Sequence, residues 1–175
     1  VKIQFSTSNF AEIDIVIQNK FTIHTPYEFT VSGDVNLWFI TGVAEITYID
    51  YTQMKFADGL DVPQRSALNK KITDTYTQTF NLKVGAEFRL PFTGLSARAG
   101  AMYIPYPIAD TPQDFDRKYL TAGLGIKSGE GAMEFNVAYI YGFWDQLSED
   151  YGSSVSEVYQ KIVSQNIVAS LSLRL

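Results

Sequence analysis

Three features of the sequence predict an all-β, antiparallel fold. Apolar and polar residues alternate with a period of two along most of the 175 residues, aromatic residues gather toward the ends of those runs, and the connections between runs are alternately short and long. Phe, Tyr and Trp make up 14% of the chain, and their rings pack better on a pleated strand surface than along a helix. The length suits one domain, expected to run through residues 1–175.

Alternation is present from the first residues, "VKIQF". Between 13 and 23, Ile13, Ile15, Ile17, Phe21 and Ile23 oppose Asp14, Gln18, Lys20 and Thr22. Between 27 and 37, Tyr27, Phe29, Val31, Val35 and Leu37 oppose Glu28, Thr30, Ser32, Asp34 and Asn36. A tight turn near 38–42 leads to "GVAEITYIDY", where Ala44, Ile46 and Tyr48 face away from Glu45 and Thr47. Residues 52–71, including "ADGLDVPQRSALNKK", show no period and read as a long polar connection.

The run from 74 to 90 sets Phe80, Leu82, Val84, Ala86, Phe88 and Leu90 against Lys83, Glu87 and Arg89. "PFTG" at 91–94 is a turn, after which Leu95, Ala97, Ala99, Ala101 and Tyr103 oppose Ser96, Arg98 and Met102. A Pro- and Asp-rich loop fills 104–116. Strands at 117–127 and 132–143, joined by "SGEG", place Leu120, Leu124, Phe135 and Val137 on one face and Lys127, Glu134 and Asn136 on the other. A further loop at 146–162 contains "SSVSEVYQKIV", which reads as a short helix, and the closing "NIVASLSLRL" alternates again.

Composition narrows the partners. A net charge of -5 without any cluster of Lys and Arg argues against nucleic acid. No run approaches the ~18 apolar residues of a membrane helix, since "LWFITGVAEI" is broken by Gly42 and Glu45. The absence of cysteine removes both disulfides and thiolate metal sites. "VKIQF" has no basic region, apolar core or cleavage site before it, so the chain is expected to be part of a processed or longer protein.

Alternation alone leaves open whether the apolar side meets a core or lipid. The short-long asymmetry of the connections matches outer-membrane barrels, with tight periplasmic turns and long outer loops. Tyr27, Tyr48, Tyr51, Phe88, Tyr103, Tyr119, Tyr141, Phe143 and Trp144 stand near strand ends, as the aromatic girdles of such barrels do. The expected fold is therefore an antiparallel transmembrane β-barrel region of about eight strands, each crossing with ~9 to 11 residues. A soluble lipid-binding β-barrel of lipocalin-like size, with its apolar side turned inward, is the alternative, together with a small structural outer-membrane barrel that transports nothing.

The phrases "HTPYEFTVSGDV", "AEITYIDYTQM", "TFNLKVGAEFRL", "LSARAGAMYIPYPIADTP" and "DRKYLTAGLGI" follow one another over residues 24 to 143. In content and order they resemble the C-terminal half of the FadL-type long-chain fatty-acid transporter family, which includes the aromatic-hydrocarbon channels of bacterial outer membranes. The resemblance implies a 14-stranded barrel of which this chain is the C-terminal part, an N-terminal hatch, a hydrophobic ligand path and lateral release through the wall. It implies passive outer-membrane transport of hydrophobic compounds such as long-chain fatty acids, without enzymatic activity or a cofactor, by a monomeric barrel in contact with lipid and lipopolysaccharide. The hatch with its Asn-Pro-Ala start is not in this sequence, Tyr51 stands where the family often has Trp, and the last residue is Leu175 rather than an aromatic.

Lys83, Arg89 and Arg98 fall on the polar side of adjacent strands and are the candidate ligand-binding residues. A fatty-acid carboxylate in an apolar cavity needs a cationic or hydrogen-bonding partner, because an unpaired buried charge is very costly. The same three cations would equally form a ladder with Glu87, Glu45 and Asp34, and those acids are just as available. His24, the single histidine, has no neighbouring residues that would complete a triad or metal site, and reads as a strand-end surface residue. Asp50 beside Tyr51 reads as a solvated strand end or a partner for a basic residue of the outer loop. Asp58, Asp61, Asp110, Asp114, Asp116, Asp145, Glu149 and Asp150 would either hold divalent cations against lipopolysaccharide or simply solvate loops; they lack any metal-ligand spacing. "GLGIKSGEG" is a strand and turn rather than a phosphate loop, since no helix follows it.

Overall fold

A computed structural model describes residues 2–5, 13–16, 22–128, 132–148 and 158–173. It confirms the antiparallel all-β reading. Seven strands form the main sheet: β4 (Glu28–Leu37), β5 (Ile40–Asp50), β7 (Gln78–Arg89), β8 (Leu95–Ile104), β9 (Arg117–Lys127), β10 (Met133–Ser148) and β11 (Val158–Leu173), in the order β11-β10-β9-β8-β7-β5-β4. Every neighbouring pair is antiparallel. Six antiparallel steps separate the two edge strands, so β4 and β11 point the same way. Two smaller pairs complete the strands: β1 (Lys2–Phe5) with β2 (Ile13–Val16), and β3 (Thr22–His24) with β6 (Lys55–Asp58). The predicted single run 13–23 thus divides between two pairs, and the part of it between β2 and β3 lies outside the described residues.

Period-2 alternation becomes a two-faced sheet because side-chain parity is preserved across every ladder. One register row reads Asn36, Thr41, Glu87, Arg98, Gly123, Ala138 and Val168 across all seven strands; its neighbour reads Leu37, Ile40, Phe88, Ala97, Leu124, Val137 and Ala169. Side chains from all seven strands, including both edges, line one cavity of about 880 Å³. In a flat sheet the edges would stand roughly 29 Å apart, so the sheet curls around this face. We call it the inner face, and the apolar one the outer face.

The turns carry the expected chemistry. Trp38 and Phe39 make the tight link between β4 and β5, with Trp38 at a positive φ of 46°. In "PFTG", Gly94 takes φ 70°, and a Cβ there would stand 2.3 Å from the Lys127 carbonyl oxygen. That closeness is functional in the turn, because Lys127 N donates back to Gly94 O at 2.8 Å.

Two connections differ from expectation. Residues 52–71 are not a plain polar loop: η1 (Tyr51–Gln53), β6 and α1 (Val62–Thr75) occupy them, and α1 runs into the stretch read as the start of the next strand. Asp61 caps α1 by accepting from Gln64 N at 2.9 Å, and a proline stands in its first turn. No residue of the helix is buried, so it presents no apolar stripe for a period-3.6 reading to find. Its anchor is Asn69, whose Oδ1 accepts from Phe56 N at 2.7 Å and whose Nδ2 donates to Phe56 O at 3.1 Å, imitating a neighbouring strand for β6. The other difference is at the end of the chain. β10 runs on to Ser148 and β11 starts at Val158, so Val158 to Val163 are strand and not part of a short helix; 149–157 lie outside the described residues.

Two stability outcomes are expected. Gly94→Ala forces a side chain into a left-handed conformation and against Lys127 backbone, and should lower unfolding stability by about 1–2 kcal/mol or more. Gly33→Ala, whose Cβ would meet nothing within 4 Å, is the control and should stay within about 0.5 kcal/mol in the same denaturant titration. Asn69→Ala should speed hydrogen exchange at Phe56 without altering exchange in β8 and β9, because it removes two local bonds and nothing from the main sheet.

Candidate functional site: the charged trough of the inner face

Register, not sequence proximity, assembles the site. Glu45 on β5 stands opposite Lys83 on β7, and Glu87 on β7 opposite Arg98 on β8. Lys83 Nζ donates to Glu45 Oε1 at 2.7 Å. Glu87 lies between two guanidiniums, accepting from Arg98 Nε at one oxygen and from Arg89 Nε at the other. Arg98 then reaches over β9: its Nη1 donates to Asn136 Oδ1 on β10 at 2.6 Å, and its Nη2 lies 3.6 Å from Glu134 Oε1.

Glycine makes that reach possible. A Cβ at position 125 would sit 2.5 Å from Asn136 Oδ1 and 2.6 Å from Ser96 Oγ, so Gly125 leaves the space through which Asn136 turns toward Arg98. Gly123 precedes it on the same face, opposite Arg98 on one side and Ala138 on the other. The trough therefore has two unlike sides. Charged side chains crowd β5, β7 and β8, whereas Gly123, Ala138, Ile140 and Val168 give β9 to β11 a floor of small and aliphatic groups.

Lys83, Arg89 and Arg98, the three residues singled out by sequence, all line this one cavity. Each already meets an acid, which is the ladder arrangement rather than a set of displayed cations. Asp34 does not join the ladder: its carboxylate accepts from Asn36 Nδ2 at 2.6 Å instead. Parity in the sequence places Glu134 and Asn136 on the inward face without a partner, and points to no role for Gly125. Their common signal in the sequence is the polar parity of "TAGLGIK" and "MEFNV", which puts Gly123, Gly125, Glu134 and Asn136 on the inner face.

Two of the nine expected girdle aromatics belong to the inner face. Tyr119 pairs with Gly142 and Trp144 follows two residues later on the same side, with ring centroids 5.9 Å apart. A Cβ at Gly142 would stand 2.6 Å from the Tyr119 ring, and the Arg117 guanidinium lies 5.4 Å from the Trp144 centroid. On the outer face, Phe29, Tyr48 and Phe80 share one row near the loop end, and Trp38, Phe88 and Phe92 mark the turn end.

Four of the acids expected in loops, Asp58, Asp61, Asp116 and Asp145, have local structural partners, and Asp145 lies on β10. Asp116 is buried, accepting from the Tyr103 hydroxyl and, at 2.8 Å, from Tyr106 N. Asp145 accepts from the Tyr159 hydroxyl, and Asp58 from Gly59 N at 2.8 Å. Asp50, beyond the last apolar row of β5, caps η1. The hydroxyl and N–H of Thr52 and the amide of Gln53 hold its carboxyl below the usual carboxylate range. Glu149 and Asp150 lie outside the described residues. His24 is exposed at the end of β3, opposite Lys55. Among the described residues no group of three or more His, Cys, Asp and Glu side chains is arranged to hold a metal ion.

No protein-family model, curated protein or solved structure matches this chain. The chemistry of the trough therefore rests on its own geometry, in which Lys83, Arg89 and Arg98 each meet an acid.

Gly125→Ala should displace Asn136 and cost about 1 kcal/mol, the worth of one partly exposed charge-assisted hydrogen bond. Most of that loss should vanish when the same substitution is made in an Asn136→Ala background, as a double-mutant cycle of unfolding free energies would show.

Proposed function

We propose that this chain is wall of a bacterial outer-membrane β-barrel through which hydrophobic compounds, such as long-chain fatty acids, diffuse passively. The observation that carries the reading is the direction of burial. Only Ile49 and Phe115 are buried apolar residues among those described, while Phe29, Val31, Val35, Leu82, Leu120, Leu124, Phe135, Ile167 and Leu171 all stand exposed on the outer face.

The size of this face supports lipid over water as its surroundings. Seven strands at ~4.8 Å spacing and about eight residues of ~3.3 Å give an apolar surface on the order of 30 by 25 Å. A soluble monomer rarely exposes a patch beyond ~300–600 Å², whereas an outer-membrane barrel carries an apolar band ~25 Å tall. Among the described residues, Lys118 is the one charged residue in the four outer-face rows that run through Val31, Gly33, Val35 and Leu37, and it lies in the row nearest the loops, with Tyr103 and Phe143. Above it the outer face turns polar, with Asp145 opposite Lys161. The resemblance of "HTPYEFTVSGDV", "TFNLKVGAEFRL" and "DRKYLTAGLGI" to FadL-type transporters points to the same membrane and the same substrate class.

A lipocalin-like soluble barrel would need this apolar set around its cavity. Here the cavity side carries Glu45, Lys83, Glu87, Arg89 and Arg98 instead, which favours the membrane reading. Strand direction limits how such a barrel could close. In hydrocarbon each unpaired backbone group costs several kcal/mol, so both edges need partners. Because β4 and β11 run the same way, an all-antiparallel barrel requires an odd number of further strands between them, giving the even total usual in bacterial barrels.

Purified chain should stay in solution only with detergent, associate with lipid vesicles, and migrate differently on electrophoresis before and after boiling. A detergent-free, monomeric, soluble protein would contradict the proposal.

A further inference from the structure

Two backbone outliers coincide at the turn end of the sheet. Trp38, the first residue of the two-residue link between β4 and β5, has φ 46°, and Phe92, in the turn between β7 and β8, has φ 66°. A left-handed backbone crowds any Cβ, so such positions normally go to Gly, Asn or Asp, and a bulky aromatic there stores strain. Among the described residues the one other non-glycine case is Asp110, in the loop at 104–116, whose short polar side chain suits the conformation. Packing inside the molecule offsets little of the strain at the two aromatics. Trp38 is 90% exposed and Phe92 fully so, and the ring contact of Trp38 is with its own neighbour Phe39, at 5.6 Å between centroids.

The two turns share one rim. Arg89 N, just before the second turn, donates to Phe39 O at 2.7 Å, and Phe39 meets Phe88 edge-on with centroids 5.5 Å apart. Residues 38–39 and 90–94 carry no charge, and the outer row of Leu37, Ile40, Phe88 and Ala97 runs directly into them. The third tight connection, Ser128 to Gly131, has the opposite chemistry in its sequence: two glycines and Glu130. A turn in water gains from glycine and charge, whereas a turn at headgroup level gains from aromatic rings, whose apolar bodies settle among the first acyl carbons. We propose that Trp38 and Phe92 form a two-point foot by which the β4–β5 and β7–β8 hairpins sink their turns into the headgroup–acyl boundary of the nearer phospholipid leaflet instead of emerging into water. Gly or Asn at either tip would relax the backbone and lose the ring. Continuity with the outer apolar face selects lipid as the occupant. The proposal rests on the membrane-wall reading and adds the level at which this rim of the sheet sits.

Trp38 reports its own surroundings once Trp144, the other tryptophan, is replaced by Phe. In the full chain carrying Trp144→Phe and reconstituted in phosphatidylcholine vesicles, lipid brominated near the headgroup end of its acyl chains should quench Trp38 fluorescence about twofold or more. Iodide on both sides of the membrane should quench it far less than in the urea-unfolded chain. Phe92→Trp, in a chain that also carries Trp38→Phe and Trp144→Phe, should behave alike. Trp38→Asn suits the left-handed backbone but lacks the ring, so it should shift the unfolding equilibrium in vesicles about tenfold toward the unfolded chain. Unchanged or greater stability of that variant would overturn the proposal. Leu124→Trp, with Trp38→Phe and Trp144→Phe, is the reference for the outer face. Iodide reaching Trp38 as freely as in the unfolded chain, while brominated lipid quenches Leu124→Trp, would put the turns in water; this overturns the foot and leaves the wall reading standing. Trp38 shielded from both quenchers would mean that protein covers it, which also overturns the foot. Brominated lipid that quenches neither Trp38 nor Leu124→Trp would overturn the wall reading itself.

Discussion

Side-chain parity, carried without a break across six antiparallel ladders, is the constraint from which the other properties of this protein derive. A slip of one residue on any strand would send its apolar set to the trough and its charges to the outer face. Glu45 would lose Lys83, Glu87 would lose Arg98, and the small-residue floor of Gly123, Ala138 and Val168 would fill with Leu124, Val137 and Ile167 or their neighbours. The cross-strand ion pairs therefore matter for register more than for energy: pairs as exposed as these contribute only ~0.2–1 kcal/mol each, but a slipped strand would juxtapose charge with aliphatic side chains.

A sheet with its charges on the inside of the curl has no apolar interior to fold around. Cohesion comes from the backbone ladders, and their net worth depends on the medium, being ~0.5–1.5 kcal/mol per bond in water and far more where water cannot compete. This ties the fold to its surroundings. Residues that would form a core in a soluble protein become the solvent boundary here, and the trough they enclose gains its character from Gly100, Gly123 and Gly125 as much as from charge. Glycine lets Arg98 cross β9 to Asn136 and Glu134, so charges on strands that are not neighbours can still meet.

Much of this was legible in the sequence, because a face exposed to one medium leaves a clean period of two. The strands from 28 to 37, 95 to 104 and 117 to 127 stand within a residue or two of the alternating runs, and Lys83, Arg89 and Arg98 do share a surface. What periodicity lacks is register. It could place Glu87 and Arg98 on one face but not opposite each other, and it could not tell that Asp34 would turn to Asn36. The signal also weakens toward the loop end of the last hairpin, where Gln146 stands opposite Gln160 and Asp145 opposite Lys161 and polar residues interrupt the apolar alternation. Helix α1 escaped for the same reason, being polar all round and anchored through Asn69 rather than an apolar stripe. Nearness to a strand end puts Tyr119 and Trp144 among the girdle aromatics, but parity within their own strands sets them beside Thr121 and Gly142 on the inner face.

The lack of cysteine allows the central claim, that the outer face meets lipid and the inner face water, to be measured position by position. Single-cysteine variants Val35→Cys, Leu124→Cys and Phe135→Cys on the outer face, and Ser32→Cys, Thr121→Cys and Ala138→Cys on the inner, would each carry a nitroxide label in protein reconstituted in vesicles. Outer labels should relax faster with oxygen, which concentrates in hydrocarbon, and inner labels with a water-soluble nickel chelate. The opposite ordering, or chelate access on both faces alike, would contradict the membrane wall.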